Sequence, residues 1–184
     1  MSTRDRILAA AYALLYREGF ARTGMDAIAA AAGVTKRTLY YHFDSKDALA
    51  AAVLEAQHDL AIARIRGWAD VDAASPAEYA AGLFAALEAW TRTPRWVGSG
   101  FTRLTMELAH LKGHPARRAA RRHKAAVEDM LRSEFELRGA AHPEVLARQV
   151  AVLIEGSMCL CLIHDHPAFV VAAGRAAVLL AAAE

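Results

Sequence analysis

Four side chains able to make strong hydrogen bonds crowd into residues 33–43, whose sequence is GVTKRTLYYHF. In a helix of about 3.6 residues per turn, they share one side: Lys36, Arg37, Tyr40 and Tyr41. Cations and phenol hydroxyls bind phosphates and base edges, and tyrosine rings pack against sugars or thymine methyl groups. The opposite side, which can be packed, carries Val34, Thr38, Leu39 and His42.

The residues before and within this segment predict two short helices whose packing would position it. Two short helical patterns, Met25 to Ala32 and Thr35 to about His42, are joined by the sequence AAGV. Ala29 is small enough to let the two helix backbones approach, and Gly33 supplies the turn. The apolar residues that would close the wedge are Ile28, Val34 and Leu39. These features describe a helix-turn-helix, whose second helix enters the major groove of DNA.

Helix starts are expected to add contacts with the DNA backbone. Thr23 precedes the first of the two helices, with Asp26 three residues later in an approximate capping box, and Thr35 precedes the second. Both positions would bring backbone amides to phosphates, and Lys46 could add another contact after the second turn. The alternative is a helical hairpin with a solvated basic face and a tyrosine pair packed on a neighbouring helix.

Charge favours the nucleic-acid interpretation of this segment. Residues 1–46 contain seven basic and four acidic side chains, a net charge of +3, whereas the whole chain carries +2. With 55% hydrophobic residues among 184, the chain can bury a core. The amino terminus does not resemble a signal peptide, and no uninterrupted apolar run reaches about 18 residues. We therefore expect a soluble cytoplasmic protein without a membrane span.

The pattern is helical almost throughout, which predicts an all-α protein of about nine helices. The first is expected from Thr3 to Glu18, ended by Gly19. Ser45 would cap a long fourth helix that reaches about Trp68, followed by the loop ADVDAASPAEY and a new helix start at Pro76. Further breaks are expected at residues 92–100, 112–115, 138–143 and 164–167.

The order of residues from Gly19 to Leu49, including LYYHF and SKDAL, resembles the DNA-binding domain of the TetR family of bacterial transcriptional regulators. The resemblance covers about a quarter of the chain. Gly24 departs from the family pattern, because many relatives carry Ser or Thr there, which leaves Thr23 as the hydroxyl for a phosphate. Phe43 is expected to plug the core against the first helix, and His42 falls on the buried side of the helical wheel.

The resemblance implies a DNA-binding domain at residues 1–46 and an effector-binding and dimerisation domain at residues 47–184. It also implies a repressor that, as a homodimer, binds an inverted-repeat operator and is released by a small hydrophobic effector, with no cofactor. The candidate DNA contacts are Thr23, Thr35, Lys36, Arg37, Tyr40, Tyr41, His42 and Lys46, of which Tyr40 would contact phosphate.

The last two helical segments are apolar on nearly every side, which predicts that they are covered on all sides. At the end of so short a chain, we expect a two-fold four-helix interface built from both segments of each subunit. Gly156, Gly174 and the alanines would permit close helix approach. The candidate interface residues are Val150, Leu153, Ile154, Phe169 and Val178. The alternative is that these helices form the monomer's own core.

The resemblance places further apolar and polar residues around a central effector cavity. The candidates are Trp90, Trp96, Phe101, Met106, His110, Phe135, Met158 and His164. An apolar pocket with a few polar groups suits a hydrophobic effector. The alternative for each residue is ordinary core packing.

Other patterns favour no chemistry. In CLCLIHDH, Cys161 and His164 share a helix face but Cys159 does not, so we expect no metal site. Residues 117–124, RRAARRHK, could bind nucleic acid or an acidic ligand, although a solvated face is the simpler interpretation. The phosphate-binding loop, dinucleotide fingerprint and G-x-S-x-G elbow of common enzymes are missing, which argues against an enzyme. A helical adaptor without DNA binding remains the alternative function.

Overall fold

The computed structural model describes residues 1–68 and 72–184, which form nine helices and no strand. The helices are α1 Thr3–Glu18, α2 Met25–Ala31, α3 Lys36–His42, α4 Lys46–Arg66, α5 Pro76–Thr91, α6 Gly100–Glu107, α7 Pro115–Leu137, α8 Pro143–His164 and α9 Ala168–Ala182. The predicted all-α class is confirmed. Residues 69–71 of the predicted loop after Trp68 lie outside the described residues.

Helix ends follow the local signals in most places. Ser2 caps α1 in a capping box with Asp5, and Gly19 ends the helix with a φ of 90°. Ser75 caps α5, with Pro76 in its first turn. The prediction for α2 is wrong in one respect. Its N-cap is Gly24 without a side-chain hydrogen bond, so Thr23 and Asp26 form no capping box.

The described residues divide into two compact units. The first contains Met1–Leu60 and Ser99–His123, and the second contains Ala61–Gly98 and Lys124–Glu184. In the first unit, α2 packs against α1 and α3, and α6 packs against α1. The predicted boundary between residues 46 and 47 concerns the division of function and stays a prediction.

The second unit is built on a core shared by α5, α7, α8 and α9. Helices α5 and α9 pack closely where Gly174 meets Phe84. A Cβ atom added at Gly174 would lie only 2.8 Å from Cβ of Phe84. Gly174 was expected to bring subunits together, but it serves packing inside one chain. Gly156 is exposed, and an added Cβ would meet nothing within 4 Å.

Helix α8 combines unusual length with apolar character. It is 22 residues long and has a mean hydropathy of 1.7 in its most apolar stretch, so by length and composition it could cross a membrane. Its buried residues belong to the core with α5 and α9, and core helices of soluble proteins satisfy the same criterion.

Tyr79 occupies an exacting position in this core. Its ring is buried against the edge of Phe135 and beneath the Arg138 guanidinium, whose Cζ lies 4.3 Å from the ring centroid. Its hydroxyl has no hydrogen-bond partner among the described residues. Burial raises the pKa of Tyr79 to about 12 from an ordinary value of 10.0.

We expect Tyr79→Phe to raise the free energy of unfolding by about 1 kcal/mol at pH 7, since it removes an unsatisfied buried hydroxyl. Between pH 10 and about 12 the unfolded chain releases the Tyr79 proton while the folded chain retains it, so the wild type loses stability as pH rises. The advantage of the variant should therefore grow over that range in urea titrations. A constant or shrinking advantage would contradict the assigned burial.

Candidate nucleic-acid interface

The turn between α2 and α3 is fixed by backbone hydrogen bonds and a glycine. Gly33 has a φ of 63°, a left-handed conformation that glycine adopts without strain. The amide of Val34 donates to the carbonyl of Ala29 over 3.0 Å, which closes the turn. Ile28, Ala29 and Leu39 are buried, as the predicted wedge requires, while Val34 is half-buried.

Helix α3 begins with a side-chain cap. The Thr35 hydroxyl accepts from the backbone amide of Thr38 over 3.1 Å and lies 2.8 Å from the Thr38 hydroxyl. With Leu39 held inside, the opposite side of this short helix faces solvent. Its exposed residues are Thr35, Lys36, Arg37, Tyr40 and Tyr41. Tyr41 is 84% exposed and Tyr40 is 42% exposed, so both rings have room for a partner.

Lys36 already has a partner on α2. Its Nζ lies 2.8 Å from Oδ1 of Asp26, and both side chains are largely exposed. The hydrogen bond and the negative charge of Asp26 raise the pKa of Lys36. The pair fixes the ammonium group at the junction of α2 and α3, in water, where a phosphate could take the place of the carboxylate.

The other predicted contacts are more enclosed. Thr23 is 1% exposed, and its hydroxyl donates to the carbonyl of Gly19 over 2.7 Å. Nζ of Lys46 lies 4.1 Å from the centroid of the Phe20 ring, and burial lowers the pKa of Lys46. Both side chains serve the loop between α1 and α2. Their contact with DNA stays a prediction, with less structural support than for the exposed face of α3.

His42 and Phe43 end α3. Phe43 is buried beneath the Arg4 guanidinium of α1, with 5.2 Å from Cζ to the ring centroid, in line with its expected role in the core. His42 is half-buried and meets the ring of Tyr41 edge to face. It therefore supports Tyr41 while retaining part of its own surface.

Two residues that contact the helix-turn-helix region were missed by sequence reasoning. Glu107, in the last turn of α6, accepts a hydrogen bond from the Ala21 amide over 3.0 Å. The ring of His114 packs edge-on against Phe20. Both contacts join positions more than 80 residues apart, and no local spacing signals them.

The candidate effector residues fall into different environments. In the first unit, Phe101 is buried and stacks on His123 at 3.7 Å between centroids, whereas Met106 and His110 are exposed, which argues against both as lining residues of an enclosed cavity. In the second unit, Phe135 and Met158 are buried in the core. Their part in an effector site stays a prediction.

The remaining three candidates lie on the periphery of the second unit. Trp90 packs between Trp68 and Trp96, with 5.4 and 5.8 Å between ring centroids. His164 is exposed and stacks on Phe169 at the start of α9. The indole Nε1 of Trp96 is buried and has no hydrogen-bond partner within the described part of the chain.

The described residues of the second unit line a cleft and a groove. A cleft of 460 Å³ lies between the residues that follow α5 and the turn from α8 to α9. Trp96 is the one effector candidate that lines it, together with Arg92, Arg95, Cys161 and Asp165 among others. A groove of 530 Å³ between α5 and α9 is lined mainly by apolar residues, including Phe84, Val171 and Val178.

The candidate interface residues are divided by burial. Val150 and Ile154 belong to the core of the single chain, whereas Leu153, Phe169 and Val178 are half-buried. Four of the exposed apolar residues of α8 form a stripe at helical spacing, which we call the α8 stripe: Val145, Val152, Leu160 and Ile163. Leu162 is also exposed but lies to one side of this stripe. On α9, Leu179 and Leu180 are exposed. An all-round apolar pattern did not reveal which face lies outside.

The basic run at residues 117–124 is largely engaged within the chain. Arg117 and Arg118 donate to the carbonyls of Ala109 and Gly113, and Arg122 pairs with Glu55. These bonds fasten the start of α7 to its surroundings in the first unit. They favour a structural role for the run over a second nucleic-acid surface.

The amino-terminal part of the chain is similar in sequence to known transcriptional regulators. Residues 7–53 match the sequence family described as bacterial regulatory proteins, tetR family. The chain is 42% identical over 57 residues to the HTH-type transcriptional regulator TtgR of Pseudomonas putida, a match that covers 31% of this chain and 27% of TtgR. It is 41% identical over 64 residues to the regulator UidR of Escherichia coli, covering 35% of this chain and 33% of UidR. These matches thus span about a third or less of the curated relatives.

Solved structures are similar over nearly the whole chain. A crystal structure of a putative TetR transcriptional regulator from Streptomyces avermitilis has a TM-score of 0.84 and 33% identity, and the match covers 98% of both chains. A TetR-family transcriptional regulator from Streptomyces coelicolor has a TM-score of 0.83 at 24% identity, covering 97% of this chain and 95% of that one, which shows the shared fold.

Proposed function

Because the chain belongs to the TetR family of bacterial transcriptional regulators, we propose that it is a repressor whose homodimer binds an inverted-repeat operator through α3 and is released by a small-molecule effector. The observation that carries the proposal is the exposed face of α3, held outward by the burial of Leu39. That face presents hydroxyls, a guanidinium and an ammonium group on one side of a short helix.

The chemistry of the face suits the major groove. Lys36 and Arg37, in the first turn of α3, can reach guanine edges or phosphates, and the hydroxyls of Tyr40 and Tyr41 can donate to phosphates. To bind DNA, Lys36 would leave Asp26 and pair with a phosphate instead. At a position on DNA that offers no phosphate there, the Asp26 carboxylate would repel the DNA and disfavour binding. Two copies of α3 about 34 Å apart would enter successive major grooves.

We expect Lys36→Ala to weaken operator binding about tenfold, the scale of one charge-assisted hydrogen bond. Tyr40→Phe should weaken it about threefold, since it removes one neutral donor. Footprinting on the DNA that flanks the protein's own gene locates the operator, and fluorescence anisotropy with that DNA measures the affinity of each variant. Lys36→Ala should also lower the slope of log affinity against log salt by about 1.

Arg132→Ala is the matched control, because it removes a cation from α7 in the second unit. It should leave affinity and salt dependence unchanged. If both α3 variants also bind like the wild type, α3 is not the recognition helix.

Dimerisation is supported by apolar surface that the single chain leaves in water. Val152 is 66% exposed and Ile163 is 67% exposed, and with the rest of the α8 stripe they follow one side of α8 over its full length. A second copy would bury this stripe against itself, as two-fold interfaces do. Exposed Gly156, in the same stripe, leaves space for close approach of the second helix.

We expect Val152→Glu to convert the dimer to monomers at micromolar concentration, because it would bury an unpaired carboxylate in the interface. Sedimentation velocity measures the association. Leu137→Glu, at an apolar residue of α7 that is 78% exposed, should remain dimeric. A dimeric Val152→Glu protein would exclude the α8 stripe as the interface.

The second unit offers a place for an effector beside its tryptophans. Trp96, Arg92 and Arg95 line this cleft, and the indole N–H of Trp96 is buried without a hydrogen-bond partner among the described residues. Most of the residues that line this cleft are polar or charged, including Thr91, Asp165 and His166, so it suits a polar or charged compound better than a purely apolar one. Binding there would lower DNA affinity only if the DNA-free geometry binds the effector more tightly.

A thermal-shift screen should find compounds that raise the melting temperature and also displace operator DNA. Trp96→Phe keeps an aromatic ring but removes the indole N–H, so it should reduce the shift for compounds that accept this hydrogen bond. Leu137→Phe, far from the cleft in sequence, serves as control. Compounds that release DNA equally well from the wild type and from Trp96→Ala would place the effector site elsewhere.

A further inference from the structure

The loop from Gly19 to Gly24, between α1 and α2, is held by a carboxylate from a distant helix. Oε2 of Glu107, in α6, accepts from the Ala21 amide over 3.0 Å. Gly19 makes room for this approach, because an added Cβ would lie 2.8 Å from Oε1 of Glu107. Gly19 also has a φ of 90°, so backbone conformation and close approach both favour glycine at this position.

Phe20, in the same loop, is contacted by Lys46 and His114. Nζ of Lys46, at the start of α4, lies over the ring, and the ring of His114, just before α7, packs against Phe20 edge to face with 5.8 Å between centroids. Nδ1 of His114 accepts from the Ala116 amide, which directs Nε2 toward Asp47, whose Oδ1 lies 3.3 Å away. Burial lowers the pKa of Lys46, and the negative charges of Asp47 and Glu107 act in the opposite direction.

A second bond ties α6 to α1. The Arg103 guanidinium donates to the carbonyl of Tyr16, in the last turns of α1. Helix α6 therefore grips the chain both before the loop, through Arg103, and within it, through Glu107.

The held loop leads directly into the helix-turn-helix. Thr23 closes the loop by donating to the carbonyl of Gly19, and α2 begins two residues later and packs on α3. The direction in which the loop leaves α1 thus sets where α2 and α3 lie relative to α1.

We propose that Glu107 is a positioning residue for DNA recognition, which through the Ala21 amide holds the helix-turn-helix in its DNA-competent orientation. The inference rests on the proposed function and concerns one hydrogen bond between α6 and the loop that precedes α2. Loss of the carboxylate would free the Ala21 amide and loosen the loop. Operator affinity would then fall while α3 itself stays folded.

The test compares Glu107→Ala with Glu107→Gln in the full-length chain. Alanine removes the acceptor, whereas glutamine keeps a carbonyl oxygen that can accept from Ala21 and removes only the charge near Lys46. We expect Glu107→Ala to lower operator affinity about tenfold and Glu107→Gln to stay within about threefold of the wild type. Glu136→Ala, at an exposed glutamate of α7 in the second unit, is the matched control and should bind like the wild type.

Hydrogen exchange gives a readout that does not depend on DNA. The Ala21 amide should lose protection in Glu107→Ala and keep it in Glu107→Gln, while the amides of α3 and the sedimentation of the dimer stay unchanged. If Ala21 exchanges freely but operator affinity is unaltered, the loop does not position the helix-turn-helix. If α3 or the dimer is lost as well, Glu107 has a general structural role. Both results overturn the inference.

The outcomes also separate this inference from the proposed function. If the wild type binds its operator and Glu107→Ala binds it equally well, only the positioning role of Glu107 is overturned. A wild-type protein that binds no operator overturns the proposed function and the inference with it.

Discussion

The burial of Leu39 is the constraint on which the exposed face of α3, the proposed DNA-binding surface, depends. Helices α2 and α3 have seven residues each, and isolated helices shorter than about 12 residues are marginal in water. Packing must therefore hold α3 in place, and Leu39 provides it from the middle of the helix. Fixing this one side chain inward also fixes the rotation of α3. The cap at Thr35 and the left-handed Gly33 then determine where the helix begins.

Local signals predicted most of the fold. Gly19, Ser75 and Pro76 end or begin helices as their backbone preferences require, and the spacing of Gly33 and Leu39 identified the helix-turn-helix. These features depend on residues within one or two turns of one another. A single sequence displays such relations directly.

Long-range relations escaped the same reasoning. Lys46 lies on Phe20, which is 26 residues away in the sequence, instead of standing free. Glu107 lies 86 residues from the amide that it binds. In α8, apolar residues surround the helix, so periodicity could not distinguish Val150, in the core, from Val152, in water. In each case the partner comes from elsewhere in the fold.

If two copies pair through the α8 stripe as proposed, the stability of this protein depends on its own abundance. A lone chain leaves Val152 and Ile163 hydrated, and the proposed association would remove that apolar surface from water. By mass action, folding then becomes more favourable as copies accumulate and less favourable as they are diluted. For a regulator present in a few copies per cell, newly made chains would spend longer as exposed single subunits, open to proteases. The amount of active protein would then rise more steeply than the rate of its synthesis.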